Sequence, residues 1–202
     1  MVILALLVVL ALCVQDGRIP GFRKVKLNEP AWLSEAMDAE EIYEHLKQSS
    51  AEIPRKYSAE DGVADGHVVV LWGKMQSDPR LADAFLAACQ KGHRAEMKFV
   101  RFGYEGDVYI TSLVFDGETY FGVRDRSRDF YAGFSLDQDY YQEFAFPYLH
   151  VFETDNGRSV YLSDDPELTL ERLEAKINGQ GSDDPVKYQR LYGTYKQLKI
   201  VR

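Results

Sequence analysis

The sequence predicts an α+β fold, an antiparallel β-sheet meander with helices packed on it. Three observations carry this reading. The stretch Met97 to Tyr131 reads as three β-strands joined by two tight turns and ending in a charged loop. Segments on both sides of it show helical spacing with capping signals. The composition, 46% hydrophobic and 28% charged over 202 residues, is that of a folded chain able to bury a core without disulfides or metal.

Residues Val2 to Val14 are continuously apolar. They are too short for the ~20 residues of a membrane-crossing helix and suit the apolar region of a signal peptide. No basic residue precedes them. Ala11 and Cys13 make an A-x-A-like site, whereas Leu12 stands where a lipoprotein signal wants a small residue. Arg18, Arg23, Lys24 and Lys26 follow, as they would behind an uncleaved anchor with a cytoplasmic body. We read 1–14 as a signal peptide or N-terminal membrane anchor. The favoured location is secreted or attached to the outer face of a bacterial cell membrane, with the cytoplasm as alternative. Gly17, Pro20, Gly21 and Pro30 mark 15–30 as a linker, leaving 31–202 as a single α+β domain.

A helix is expected over Ala31–Gln48, from Trp32, Ala36, Ala39, Tyr43 and Leu46. Asp38 and Glu41 form a capping-box pair at which it restarts. Ser49–Gly66 reads as loop. His67–Trp72, a β-branched apolar run, reads as a strand covered on both faces. Asp78 caps the next helix, Pro79 opens it, Leu81, Phe85, Ala88 and Cys89 form its stripe, and Gly92 ends it.

The meander follows: Glu96–Tyr104, a Glu105-Gly106 turn, Asp107–Phe115, an Asp116-Gly117 hairpin turn, then Glu118–Arg124. Val108, Ile110 and Val114 fall on one face, Tyr109, Leu113 and Phe115 on the other. The first cover expected is the Asp78 helix. The second is the aromatic belt Phe130–Phe152, with Phe130, Tyr131, Phe134, Tyr140, Tyr141, Phe144, Phe146, Tyr148 and Phe152. After an Asn156-Gly157 turn come a strand, Ser159–Leu162, and two helices. One opens at Asp165-Pro166 with Leu170, Leu173 and Ile177; the other opens at Asp184-Pro185 with Tyr188, Leu191, Tyr192, Tyr195 and Leu198.

An ordered set of short motifs spans Trp72–Phe130: Gly73-Lys74 after a strand, Leu81, Phe85 and Leu86 in a helix, Lys98-Phe99-Val100-Arg101, Tyr104-Glu105-Gly106-Asp107, Phe115-Asp116-Gly117, and Asp125-Arg126-Ser127-Arg128-Asp129-Phe130. This set resembles the bacterial domain family of unknown function DUF4362, over a core of about 67–135. Val108 stands where the family pattern has proline, and Tyr131 intervenes before its small residue. The resemblance implies an exported, lipoprotein-like protein and transfers no catalytic residue.

The net charge of −8 argues against nucleic acid, whose binders present a basic face. The histidines His45, His67, His93 and His150 lack metal-ligand spacing, and Cys13 and Cys89 form no CxxC pair. Neither a GxSxG elbow nor a glycine-rich phosphate loop occurs. No catalytic residue, metal site or cofactor is therefore assigned. Glu105 and Asp107 flank a turn and are explained by turn chemistry. The candidate binding residues are Arg124, Asp125, Arg126, Arg128 and Asp129, because clustered guanidinium forks grip carboxylate or phosphate. The competing account is that Asp125 and Asp129 pair with those arginines and order the loop. The favoured reading is a non-catalytic domain that binds a ligand or protein partner, with possible membrane attachment through the N-terminus. The alternatives are a hydrolase using His67 or His150 with a carboxylate, and an intracellular interaction protein.

Overall fold

Runs of β-branched and aromatic residues pair here into two sheets, and capping signals start the helices that pack on them. The computed structural model describes residues 27, 29–129, 140–154, 157–179 and 184–193. Among these lie four helices, α1 (Ala39–Ala51), α2 (Ala59–Ala64), α3 (Pro79–Gln90) and α4 (Leu170–Ile177). The nine strands are β1 (Val68–Leu71), β2 (Lys74–Met75), β3 (Ala95–Phe102), β4 (Val108–Phe115), β5 (Tyr120–Asp125), β6 (Tyr141–Phe146), β7 (Tyr148–Thr154), β8 (Gly157–Ser163) and β9 (Tyr188–Gly193). The fold is α+β.

Six strands form a mixed sheet in the order β2-β1-β3-β4-β5-β6; the other three form an antiparallel sheet, β7-β8-β9. The expected meander is present as β3-β4-β5, with Phe115 opposite Tyr120 across the Asp116-Gly117 turn. The larger sheet is not wholly antiparallel, because β1 runs parallel to β3. Helix α3 makes that connection, as a parallel neighbour requires a crossover.

One face of the large sheet packs Val68, Met97, Phe99, Leu113, Phe115 and Tyr120 against Phe85, Leu86 and Cys89 of α3. Val160, Leu162 and Tyr192 of the small sheet join the same cluster, so the two sheets share one core. Burial pushes the Cys89 thiol up to about 12. The opposite face carries Val69, Val100, Ile110, Val114 and Val123, packed with Ile42 and Leu46 of α1 and with Ile53 and Tyr57 of the segment leading to α2.

Several expectations are corrected. The first helix begins at Ala39, where Asp38 and Glu41 close a complete capping box, and not at Ala31. The loop expected over Ser49–Gly66 contains the end of α1 and all of α2, which a Ser58–Asp61 box starts. Of the described part of the aromatic belt, Tyr141 packs on the second face, but Phe144 and Phe146 do not. Tyr141–Phe146 adds a sixth strand, and Phe144 and Phe146 point to the α3 side. Phe130, Tyr131 and Phe134 lie outside the described residues, as do the apolar run Val2–Val14 and Asn156. Asp165-Pro166 precedes α4 by a turn, and Thr169 caps it. Over its described residues the helix expected from Asp184 is instead extended chain leading into β9, which pairs with β8 through a bulge at Val160/Tyr161; Tyr195 and Leu198 lie outside the described residues. No helix among the described residues is long and apolar enough to cross a membrane.

Candidate functional site

The alternation of β3, β4 and β5 places Arg101, Tyr109, Thr111 and Arg124 on the α3 side of the large sheet, beyond the apolar rows of Phe99 and Leu113. Thr111 stands opposite Arg124, and Tyr109 opposite Arg101. The small sheet closes over this end with β9. The result is a cavity of about 120 Å³ between the sheets, lined by Arg101, Tyr109, Thr111, Arg124, Arg190 and Tyr192 with apolar neighbours such as Val70. Guanidinium groups from β3, β5 and β9 thus converge in a chain whose net charge is −8.

The walls are ordered by their own contacts. The Arg101 guanidinium lies 4.5 Å from the centroid of the Tyr109 ring, a cation–π distance. The Tyr109 hydroxyl donates to Asp129 Oδ2 at 3.0 Å. Burial, and then that bond, raise the Tyr109 pKa. Arg190 lies 5.8 Å from the Tyr161 centroid.

The candidate loop divides between two roles. Arg124 lines the cavity. Arg128 and Asp125 form an ion pair with side chains 6% and 0% exposed. Arg128 also donates to the carbonyl oxygens of Ser50 (3.1 Å) and Ile53, at the end of α1. Asp125 accepts the Ser127 amide at 2.8 Å. Arg128 and Asp125 therefore clasp the loop to α1, on the side of the sheet away from the cavity. Arg126 reaches Asp129 at 3.3 Å with half its side chain exposed, and Asp129 connects to the cavity through Tyr109. The pairing of aspartates with arginines inside the loop is what the structure shows for Arg126 and Arg128.

Sequence reasoning missed Arg101, Tyr109, Thr111, Arg190 and Tyr192. Arg101 carried a usable signal, since it continues the alternation of Met97 and Phe99 and sets a charge on an apolar face near a strand end. Arg190 was hidden by the helix reading of its segment.

A larger cavity, about 310 Å³, lies on the other side of Val70 and Tyr192, lined by Met75, Pro79, Asp83, Glu153 and Arg158 among others. Its charges answer one another: Arg158 bridges Asp83 of α3 and Glu153 of β7. It offers an apolar wall, and its two carboxylates are both paired with Arg158.

Neither histidine of the hydrolase alternative shows a hydrogen bond to a carboxylate among the described residues, although the Asp65 and Asp165 carboxylates lie close enough to act on His67 and His150 by their charge. His150 Nε2 lies 2.9 Å from Ser163 Oγ and 3.0 Å from the Asp165 carbonyl oxygen. Ser163 is fully buried, and its hydroxyl donates to that same carbonyl at 2.8 Å, so the group is a turn lock. Burial lowers the His150 pKa. His67 is held at about 4, chiefly by burial and then by Lys98, and its ring neighbour is Tyr57. No group of three or more His, Cys, Asp or Glu among the described residues is placed to hold a metal ion. Comparison with family models, with curated proteins and with solved structures gives no match.

Proposed function

We propose that this chain is a non-catalytic binding domain that takes a small anionic ligand, a carboxylate or phosphate compound, in the cavity between its two sheets. One observation carries the reading: Arg101, Arg124 and Arg190 come from three strands of two sheets and line one cavity. Guanidinium forks on rigid strands suit planar or tetrahedral oxyanions, and low-dielectric walls focus their field. The hydroxyls of Thr111 and Tyr109 add hydrogen-bonding groups beside them. Of the candidate loop, Arg124 belongs to this site, Asp129 supports it through Tyr109, and Arg128 with Asp125 anchors the loop. The hydrolase alternative is the weaker reading, because neither His67 nor His150 lines either cavity and neither shows a hydrogen bond to its nearby carboxylate. An exported or envelope-associated location is part of the proposal; it rests on the apolar run Val2–Val14 and on the DUF4362-like motifs.

The test titrates the full chain with inorganic phosphate and with citrate while following thermal unfolding. Sodium chloride at matched ionic strength is the control. A ligand at a hundred times its Kd stabilises the native state by about 2.7 kcal/mol. Phosphate or citrate is expected to raise the Tm beyond the salt control, and the R101Q/R124Q variant is expected to lose that increment. Equal shifts in both proteins would sink the proposal. Fractionation of cells expressing the chain with a C-terminal tag tests the location, and a soluble cytosolic pool with an intact N-terminus would overturn it.

A further inference from the structure

At one end of the large sheet, two turns present their aromatic residues to solvent. Leu71 pairs with Lys74, so Trp72 and Gly73 form the two-residue turn between β1 and β2. Both have positive φ, 50° and 78°, the pattern of a type I′ turn. Glycine and asparagine suit the first of these positions. Trp72 is the one non-glycine residue with positive φ among the described residues. A bulky residue held there stores on the order of 1–3 kcal/mol of strain, which clusters at functional sites. The strain does not serve burial, since Trp72 is 55% exposed.

Its neighbour is Tyr104, in the turn between β3 and β4, 82% exposed. The two rings are within 6° of parallel with centroids 6.2 Å apart. A face-to-face sandwich would bring them to roughly 3.5–4.0 Å, so these rings are offset and each keeps an open face. The Trp72 indole N–H donates to the Gly103 carbonyl at 3.2 Å and its amide to the Phe102 carbonyl at 3.2 Å. The Trp72 half of the platform is thus held in place before any ligand arrives, which lowers the entropic cost of binding.

We infer that Trp72 and Tyr104 form a stacking platform for a neutral pyranose oligosaccharide. The C–H face of a sugar ring is flat and apolar and lies against an aromatic face; its hydroxyls, at the rim, need both donors and acceptors. Both kinds flank the platform, with Glu105 on the Tyr104 turn and Lys74 beside Trp72. Charge selects among ligands that stack on aromatics. Lys74 and Glu105, one charge of each sign, are exposed on the two turns that carry the rings. Nucleic acid and anionic lipid surfaces need an excess of positive charge, which one lysine set against one glutamate does not supply. Proline-rich peptides dock in aromatic-lined grooves, whereas neither ring lines either of the two cavities described above.

The experiment titrates the full chain with cellohexaose, xylohexaose, chitohexaose and maltohexaose, reading tryptophan fluorescence and heat. The same series is run with W72N, which keeps the turn geometry without the ring, and with Y104A. At least one oligosaccharide is expected to bind wild type, and each variant to raise its Kd by about tenfold or more. W72N is expected to melt at or above the wild-type temperature, because asparagine relieves the strain. Absence of binding across all four sugars overturns the proposal, as does undiminished binding by both variants. Phosphatidylcholine vesicles and a proline decamer complete the series. Ring-dependent binding to either of these, with none to the sugars, also overturns it and reassigns the platform.

Discussion

At the scale of single residues, Arg126 and Arg128 separate two uses of the same chemistry. They sit two positions apart, and burial and partners distinguish them. Arg128 pairs with a carboxylate that has no exposed surface and satisfies carbonyls at the end of α1. Removing one member of a buried pair leaves an uncompensated charge and costs about 3–5 kcal/mol. R128A is expected to lose stability on that scale in urea unfolding. R126A, which breaks a half-exposed contact, is expected to change by no more than about 1 kcal/mol. Comparable losses in the two variants would refute this division. The sequence showed that arginines and aspartates alternate here and that pairing was geometrically easy. It had no means of showing that Arg128 reaches Ser50, because that contact spans 78 residues.

At the scale of elements, legibility followed the locality of the signal. Helix α3 was readable because its Asp78 cap, opening proline and apolar stripe are all contiguous. The hairpin at Asp116-Gly117 was readable for the same reason. Helix α2 was not, because its Ser58–Asp61 box heads only six residues with little apolar stripe. Strand β9 misled: Tyr188, Leu191 and Tyr192 meet helical spacing, yet Val186, Gln189 and Tyr192 are the buried positions, and pairing with β8 decides the outcome. The site inherited that error, since Arg190 reaches the cavity only from a strand. Strand β6 is tied to β5 by a close approach: a Cβ on Gly122 would lie 2.2 Å from Cζ of Phe144. G122A is expected to cost about 1–3 kcal/mol through overpacking. Adding F144A should recover part of that loss, as a double-mutant cycle would show; strictly additive losses would mean that the contact does not govern the pairing.

At the scale of the molecule, the shared cluster of Phe85, Phe99, Leu113, Val160, Leu162 and Tyr192 makes the two sheets one cooperative unit. The cavity depends on this, since its walls belong to both sheets. Leu162, fully buried in β8, offers the test. L162A is expected to cost about 2–5 kcal/mol and to lower the midpoint of tryptophan fluorescence and far-ultraviolet circular dichroism together. Trp32 reports from the opposite side of the large sheet, where its indole N–H donates to Glu96 at 2.5 Å. Two separated transitions would show that the small sheet unfolds alone.

The edges of the large sheet have a consequence of a different kind. Strand β2 is only two residues long, and β6 turns Gln142, Glu143 and Ala145 outward, with Glu143 held by Lys47. A two-residue edge offers too few unpaired amides to template another strand, and an edge that carries an ion pair costs desolvation to cover with another strand. These described edges guard the β-rich core against strand-to-strand aggregation, so the chain can carry two exposed aromatic rings at the end of the same sheet without inviting fibrillar association.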